Sequence, residues 1–337
     1  MIVASALLAY AALLAALGPS VVRRARWVEQ APRLGIAAWQ ALSAAFVVSL
    51  VLGGLALSVP DLRLGTGLAE LLRACLAAVR AQYATPGGAV IGASGAALAA
   101  LVLLRCGWRM AATLLRAVAE RRRHRQVLRL LGSRLHASGA VLIDHAVPAA
   151  YCLPGIRRQV VLTTGALDAL SERQLQAVLA HERAHLRGRH DLVAAAALAL
   201  SSAFPGLALF RAVSEETVRL LELVADDAAA RSTHRLVAAE AMLNVAGQPE
   251  PAGAFAAGGT GTGRRIQRLI AGVPPLGRVP TALAGGAAAA LLALPLGVFA
   301  GPAAALVDTA CCVDGTMAIS HAEVCEAMPT TRECLTR

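Results

Sequence analysis

The chain contains no lysine, few aromatic residues and little charge. Aromatics make up 3% and charged residues 16% of its 337 positions, against 57% hydrophobic. Such a composition excludes a disordered chain, and the mean hydropathy of +0.61 sets it apart from an ordinary soluble domain. All 32 basic residues are arginines, and with 21 acidic residues they give a net charge of +11. They lie beside apolar runs rather than along a helix interleaved with aromatics. That pattern argues against direct nucleic-acid binding and for topology signals and contacts with the lipid bilayer.

The apolar runs are long enough to cross a bilayer, which takes roughly 20 residues each. The first, Ile2 to Leu17, has no basic segment before it and no cleavage site, and is followed by Arg23, Arg24 and Arg26, so it reads as a span and not as a signal peptide. Leu34 to Val59 forms a second span and Ala89 to Leu104 a third, with an amphipathic helix expected over 61–85. The third leads into Arg105, Arg109, Arg116 and the run Arg121, Arg122, Arg123 and Arg125. Thr281 to Val307 is the fourth. The positive-inside rule then places both termini outside and the long central segment in the cytoplasm. The expected organisation is a membrane region over 1–105, a cytoplasmic domain over 106–278, a fourth span over 279–307 and an extracytoplasmic tail over 308–337. The stretch 247–263, rich in Gly and Pro, reads as a flexible linker.

Within the central segment, VLAHERAHLRGRHD carries His181, Glu182 and His185. On a helix, i and i+4 share a face, so both imidazoles can reach one Zn²⁺ while Glu182 faces the attacking water. Catalytic zinc takes three protein ligands. Glu222 can supply the third, and Asp226, one turn on, can accept the other ring N–H of a ligating histidine. Surface histidines and an ordinary acidic helix face are the competing readings of the same residues. The apolar stretch 192–209, interrupted by Pro205 and Gly206, is expected to be re-entrant or membrane-apposed: if it crossed the bilayer, Glu222 would face away from His181 and His185.

HExxH followed 37 residues after its second histidine by ExxAD resembles the gluzincin membrane peptidases, which include HtpX-type, CAAX prenyl and BlaR/MecR-type members. The flanks are similar as well: Gln159 to Thr163 resembles that group's edge strand, Ser171 an N-cap before Glu172, and Arg264, Arg265, Ile266 and Leu269 its closing element. The plan of three spans, a peptidase segment and a fourth span is closest to the BlaR/MecR type, peptidase family M fifty-six. Those members' penicillin-binding sensor finds no room in the roughly 30 residues after the fourth span. Arg183 stands where the family has a smaller or apolar residue.

The resemblance implies a mainly α, polytopic membrane protein with four transmembrane helices and a cytoplasmic zinc peptidase domain containing a small β element. It implies one Zn²⁺ per chain on His181, His185 and Glu222, Glu182 as general base, and an extended substrate added to the Gln159–Thr163 strand. His234 and Arg231 are candidates for stabilising the transition state. The implied partner is a cytoplasmic protein substrate, by analogy a BlaI/MecI-type winged-helix repressor cleaved in signal transduction. HtpX-like quality control, or a noncatalytic sensor with a structural zinc, are the alternatives. His190 and Asp191 read as structural, and His124, His136, His145 and His321 as having no metal role. Cys106 and Cys152 are expected to be reduced; Cys311, Cys312, Cys325 and Cys334 are expected in an oxidising compartment, with two disulfides among three pairings as the first expectation.

Overall fold

A computed structural model describes residues 1–59, 86–135, 139–155, 158–246 and 260–300, together with positions 80 and 84. Nearly all of the amphipathic helix expected over 61–85, most of the linker, His136, His321 and the four tail cysteines lie outside the described residues. The rest is mostly helical, with one small sheet. In chain order the elements are α1 (Ile2–Arg24), α2 (Trp27–Gln30), α3 (Pro32–Ser58), α4 (Gly88–Leu131), β1 (Gly132–Leu135), β2 (Ala140–Ile143), β3 (Ala150–Leu153) and β4 (Gln159–Thr163). They continue with α5 (Thr164–Ala169), α6 (Glu172–Gly188), α7 (His190–Ala203), α8 (Ala208–Ser232), α9 (Arg235–Ala246), α10 (Thr260–Ala271) and α11 (Arg278–Ala300).

Among the described residues four helices are long and apolar enough to cross a membrane: α1, α3, the first part of α4, and α11. This is a polytopic membrane protein. The third span does not end where its apolar run ends. α4 continues unbroken through the arginine run for 44 residues, about 66 Å at 1.5 Å per residue.

The chain divides into two compact units. The first combines Met1–Ala9, Val48–Ala100 and Ala293–Arg337. In it α3 and α4 approach backbone to backbone: a Cβ on Gly54 would stand 2.6 Å from the Gly95 carbonyl oxygen, and one on Gly95 2.5 Å from that of Gly54. Ser58 Oγ donates to both Gly54 and Gly92 carbonyls, so small residues and one hydroxyl hold this crossing.

The second unit, Tyr10–Val47 with Leu101–Leu292, contains the sheet and α5 to α10. Strand order is β1-β2-β4-β3, with β2 and β4 parallel and the outer pairs antiparallel. Gln159–Thr163 is therefore an interior strand, not the edge expected from sequence. The reason is visible in Val160, Val161 and Leu162, all buried: Val160 and Leu162 pack on Leu179 and Leu186 of α6, while Val161 packs on Leu128 of α4. A strand covered on both faces reads as a continuous apolar run. The edge beside α6 is β3.

Ser171 caps α6 as expected, its hydroxyl accepting from Gln174 N–H while the Gln174 side chain accepts from Ser171 N–H. α7 has 14 residues, about 21 Å, too short for a bilayer core of roughly 30 Å. The chain turns over 204–207, where Pro205 precedes Gly206 at φ 87°, and α8 packs back along α7. Phe204 and Phe210 stack at this turn, and Phe46 meets both edge-on. α7 and α8 thus form a helical hairpin with its turn at 204–207. Residues 260–263, expected in the linker, instead open α10, whose Ile266 and Leu269 pack into the core with Ala229, Ala238 and Ala239.

Candidate metal centre

His181 and His185 project from one face of α6 toward α8, which carries Glu222 and Asp226 one turn apart. His181 Nε2 and His185 Nε2 are 3.2 Å apart, and each stands 3.5 Å from a Glu222 carboxylate oxygen. Four donors about 2.1 Å from a tetrahedral centre lie about 3.4 Å from one another, so this donor set has the chemistry and spacing of a zinc site. Among the described residues these three form the one group able to hold a metal ion.

The two rings are backed differently. His181 Nδ1 is 3.1 Å from Asp226 Oδ1, which leaves Nε2 facing the cluster. His185 Nδ1 is 2.9 Å from Nδ1 of His190, which is buried. One of that pair must donate; with His185 Nε2 facing the cluster, its Nδ1–H donates and His190 Nδ1 accepts. His190 reaches back because Arg189 adopts a left-handed conformation (φ 50°) between α6 and α7, and because residue 188 is glycine: a Cβ there would collide with His190 Nε2. The neighbouring Asp191 is tied to α4 by Arg121 at 2.7 Å.

Two buried carboxylates demand a cation, and α10 supplies it. Arg265 donates to both oxygens of Asp226 at 2.8 and 2.7 Å and stands 3.0 Å from Glu222. Three residues on, Arg268 binds Asp227 and the backbone carbonyl of Glu29. Cys152 of β3 lies against the cluster and its thiol is hydrogen-bonded to Glu182.

These neighbours set the protonation of the metal-free cluster. Burial disfavours charge on His181, but hydrogen bonds to Asp226 and Glu222 outweigh it and hold the ring up to about 10. Burial also opposes ionisation of Glu222 and Asp226. His181 and Arg265 overcome it and hold both near 2. Burial pushes His185 down to about 4 and Glu182 up to about 7, the latter eased by the His181 charge. Burial and then Glu182 push the Cys152 thiol upward, so it is a hydrogen-bond donor and not a thiolate.

The structure brings together His181, Glu182, His185, Glu222 and Asp226. It does not bring in the two candidate stabilisers. Arg231 is exposed near the end of α8; His234 is exposed, its Nδ1 accepting from Leu236 N–H at the start of α9. Arg265, His190 and Cys152 were not assigned to the site from sequence. The need of two buried acids for a cation was the available signal for Arg265. For His190 there was none, since i+5 is off the face on a continuous helix.

A model of Peptidase family M48 matches residues 117–273, a stretch that contains every member of the cluster. No curated protein and no solved structure matches the chain. The matched segment is similar to a family of metallopeptidases, which are generally zinc-dependent, and it indicates a membrane-associated metallopeptidase.

Proposed function

We propose that the protein is an integral-membrane zinc endopeptidase, with one Zn²⁺ held by His181, His185 and Glu222 and with Glu182 as general base. The observation that carries this reading is the convergence of two imidazole nitrogens and a carboxylate at 3.2 and 3.5 Å, with Glu182 beside them, from helices separated in sequence. Bound zinc would supply a Lewis acid that polarises the scissile carbonyl and acidifies the attacking water. Glu182, poised near neutrality, takes a proton from that water and passes it to the departing amine. Asp226 and His190 orient the two imidazoles. Arg265 keeps Glu222 and Asp226 ionised and fixed.

An extended substrate adds along β3. Its outer edge has no strand partner among the described residues, and Cys152 on that strand touches Glu182. This replaces Gln159–Thr163 as the docking strand. Cleavage of a cytoplasmic BlaI/MecI-type repressor is the substrate reading that the plan of four spans suggests; HtpX-like turnover of misfolded membrane proteins is compatible with the family M48 match.

The test is zinc per chain and casein cleavage in detergent for wild type, His181→Ala, His185→Ala, Glu222→Ala and Glu182→Gln. Near one zinc in wild type and Glu182→Gln, large losses in the other three and no cleavage by Glu182→Gln support the proposal. Cleavage retained by a zinc-loaded Glu182→Gln overturns the base assignment. A repressor cut at a single bond favours signalling, and cleavage of many unfolded membrane proteins favours quality control.

A further inference from the structure

The long helix α4 carries an apolar face that the described part of the chain leaves uncovered. Leu101, Leu104, Trp108 and Leu115 are 62, 73, 73 and 69% exposed, and Ala111 and Val118 are exposed between and after them. Their spacings alternate between three and four residues without a break, so the six occupy the a and d positions of about two and a half heptads and form one seam. Between Arg105 and Gln126 the exposed large apolar residues are Trp108, Leu115 and Val118, all of them on this seam.

Lipid covers only the first part of the seam. Roughly 20 residues from Gly88 carry α4 through the hydrocarbon core to Trp108. Leu115 stands about 10 Å further on and Val118 about 15 Å, past a headgroup layer of about 5–7 Å. The charges, meanwhile, keep clear of the seam. Arg109, Arg116 and Arg123 fall at b positions and Glu120 at f, on the outer side of a coiled coil. The flanking e and g positions carry Arg105 and Arg121, and both are engaged within the chain: Arg105 donates to the Ala203 carbonyl, and Arg121 pairs with Asp191 at 2.7 Å. Arg122, at the next a position, would face its own copy and ends the seam. Beyond it the chain's own sheet takes over this side of α4, where Arg125 donates to the Pro154 carbonyl and Leu128 packs on Val161.

We propose that this seam is a homodimer interface, on which α4 of a second copy of this chain packs in parallel as a short coiled coil running from the membrane into water. Two copies inserted with the same topology run α4 in the same direction, so a two-fold axis along the membrane normal sets each seam residue beside its counterpart. A lipid-facing surface has no reason to keep the heptad spacing beyond the headgroups; a helix partner does. The six side chains offer on the order of 600 Å² per copy, close to the roughly 800 Å² that a stable complex buries on each side. Trp108, the largest, lies near the centre of the seam, where a buried aromatic side chain contributes most, and Ala111 beside it leaves space for its ring. The pairing stands whether or not the metal centre is a peptidase.

The test is a cysteine scan of the full chain in native membranes, with the native cysteines replaced and copper phenanthroline as oxidant, read as disulfide-linked dimer on a non-reducing gel. Leu104→Cys, Trp108→Cys, Leu115→Cys and Val118→Cys are expected to give dimer several-fold more strongly than Thr113→Cys and Arg116→Cys, which lie at f and b. Native mass spectrometry of wild type in a mild detergent should show two chains. Leu115→Glu sets like charges opposite each other and should leave one chain, with helical circular dichroism unchanged. Equal cross-linking at seam and outer positions would mean random collision and overturn the interface. So would cross-linking at Leu104→Cys with none at Leu115→Cys or Val118→Cys, which would confine the contact to the bilayer. A single-chain mass for wild type would leave the face to another partner, and a dimer that survives Leu115→Glu would place the contact elsewhere; both overturn it. Should Leu115→Glu fail to fold, the cysteine scan still decides.

Discussion

Glu182 and His181 differ in what a single proton does at each. Glu182 is held up to about 7 by burial and must be ionised to accept a proton. Replacing it by glutamine keeps the shape and removes the base, so hydrolysis should fall about 10²–10⁴-fold with zinc content unchanged. His181 is held up to about 10 in the metal-free protein, so at neutral pH it carries a proton that zinc must expel. His185, held down to about 4, is already neutral. Zinc uptake should therefore release about one proton, and apparent affinity should rise about tenfold per pH unit from neutrality until the His181 value is reached. A competition titration with a chelator of known affinity across that range measures the slope. A flat profile would mean that His181 is neutral before metal arrives. His190 acts one bond further out. His190→Ala leaves His185 Nδ1 without its 2.9 Å partner and should weaken zinc by about 10- to 100-fold, with His190→Asn restoring part of the loss.

At the scale of elements, α10 decides whether the acidic pair on α8 can remain buried and charged. Arg265 closes the charge balance between Glu222 and Asp226 from 39 residues downstream of Asp226. Arg265→Met leaves His181 as the remaining counter-charge of two buried carboxylates and should destabilise the domain by about 3–5 kcal/mol, read as a drop in the unfolding midpoint; added zinc should recover part of it. Arg264→Met, one residue away and outside the cluster, is the control and should change little. The sequence made much of this legible. HExxH spacing fixed the α6 face, and Ser171 with Gln174 marked its start through local hydrogen bonds that need no tertiary context. What escaped was non-local. The apolar run of β4 shows burial on both faces, but its place between β2 and β3 depends on pairing with strands that local pattern does not specify. His190 joins the site only through the left-handed Arg189 and the space left by Gly188. Gly188→Ala is accordingly expected to act on His190 and to weaken zinc although it touches no ligand.

The whole molecule must keep its three ligands on one side of a membrane that it crosses four times. α7 is too short to span, and α8 returns beside it, so the ends of the hairpin near Arg187 and Arg231 share a side. The arginine-rich end of α4 precedes the sheet without another span between, which puts Arg122 on that side too. Positive-inside bias predicts that this side is the cytoplasm and that α1 starts outside. With the native cysteines replaced, Arg122→Cys, Arg187→Cys and Arg231→Cys should all resist a membrane-impermeant maleimide in intact cells and react after permeabilisation. Ser5→Cys should react in both. Labelling of Arg231→Cys from outside, with Arg187→Cys protected, would make 192–209 a fifth span and separate Glu222 from both histidines. Labelling of all three from outside, with Ser5→Cys protected, would leave the metal centre intact but invert the protein, and a cytoplasmic repressor would then be excluded as its substrate.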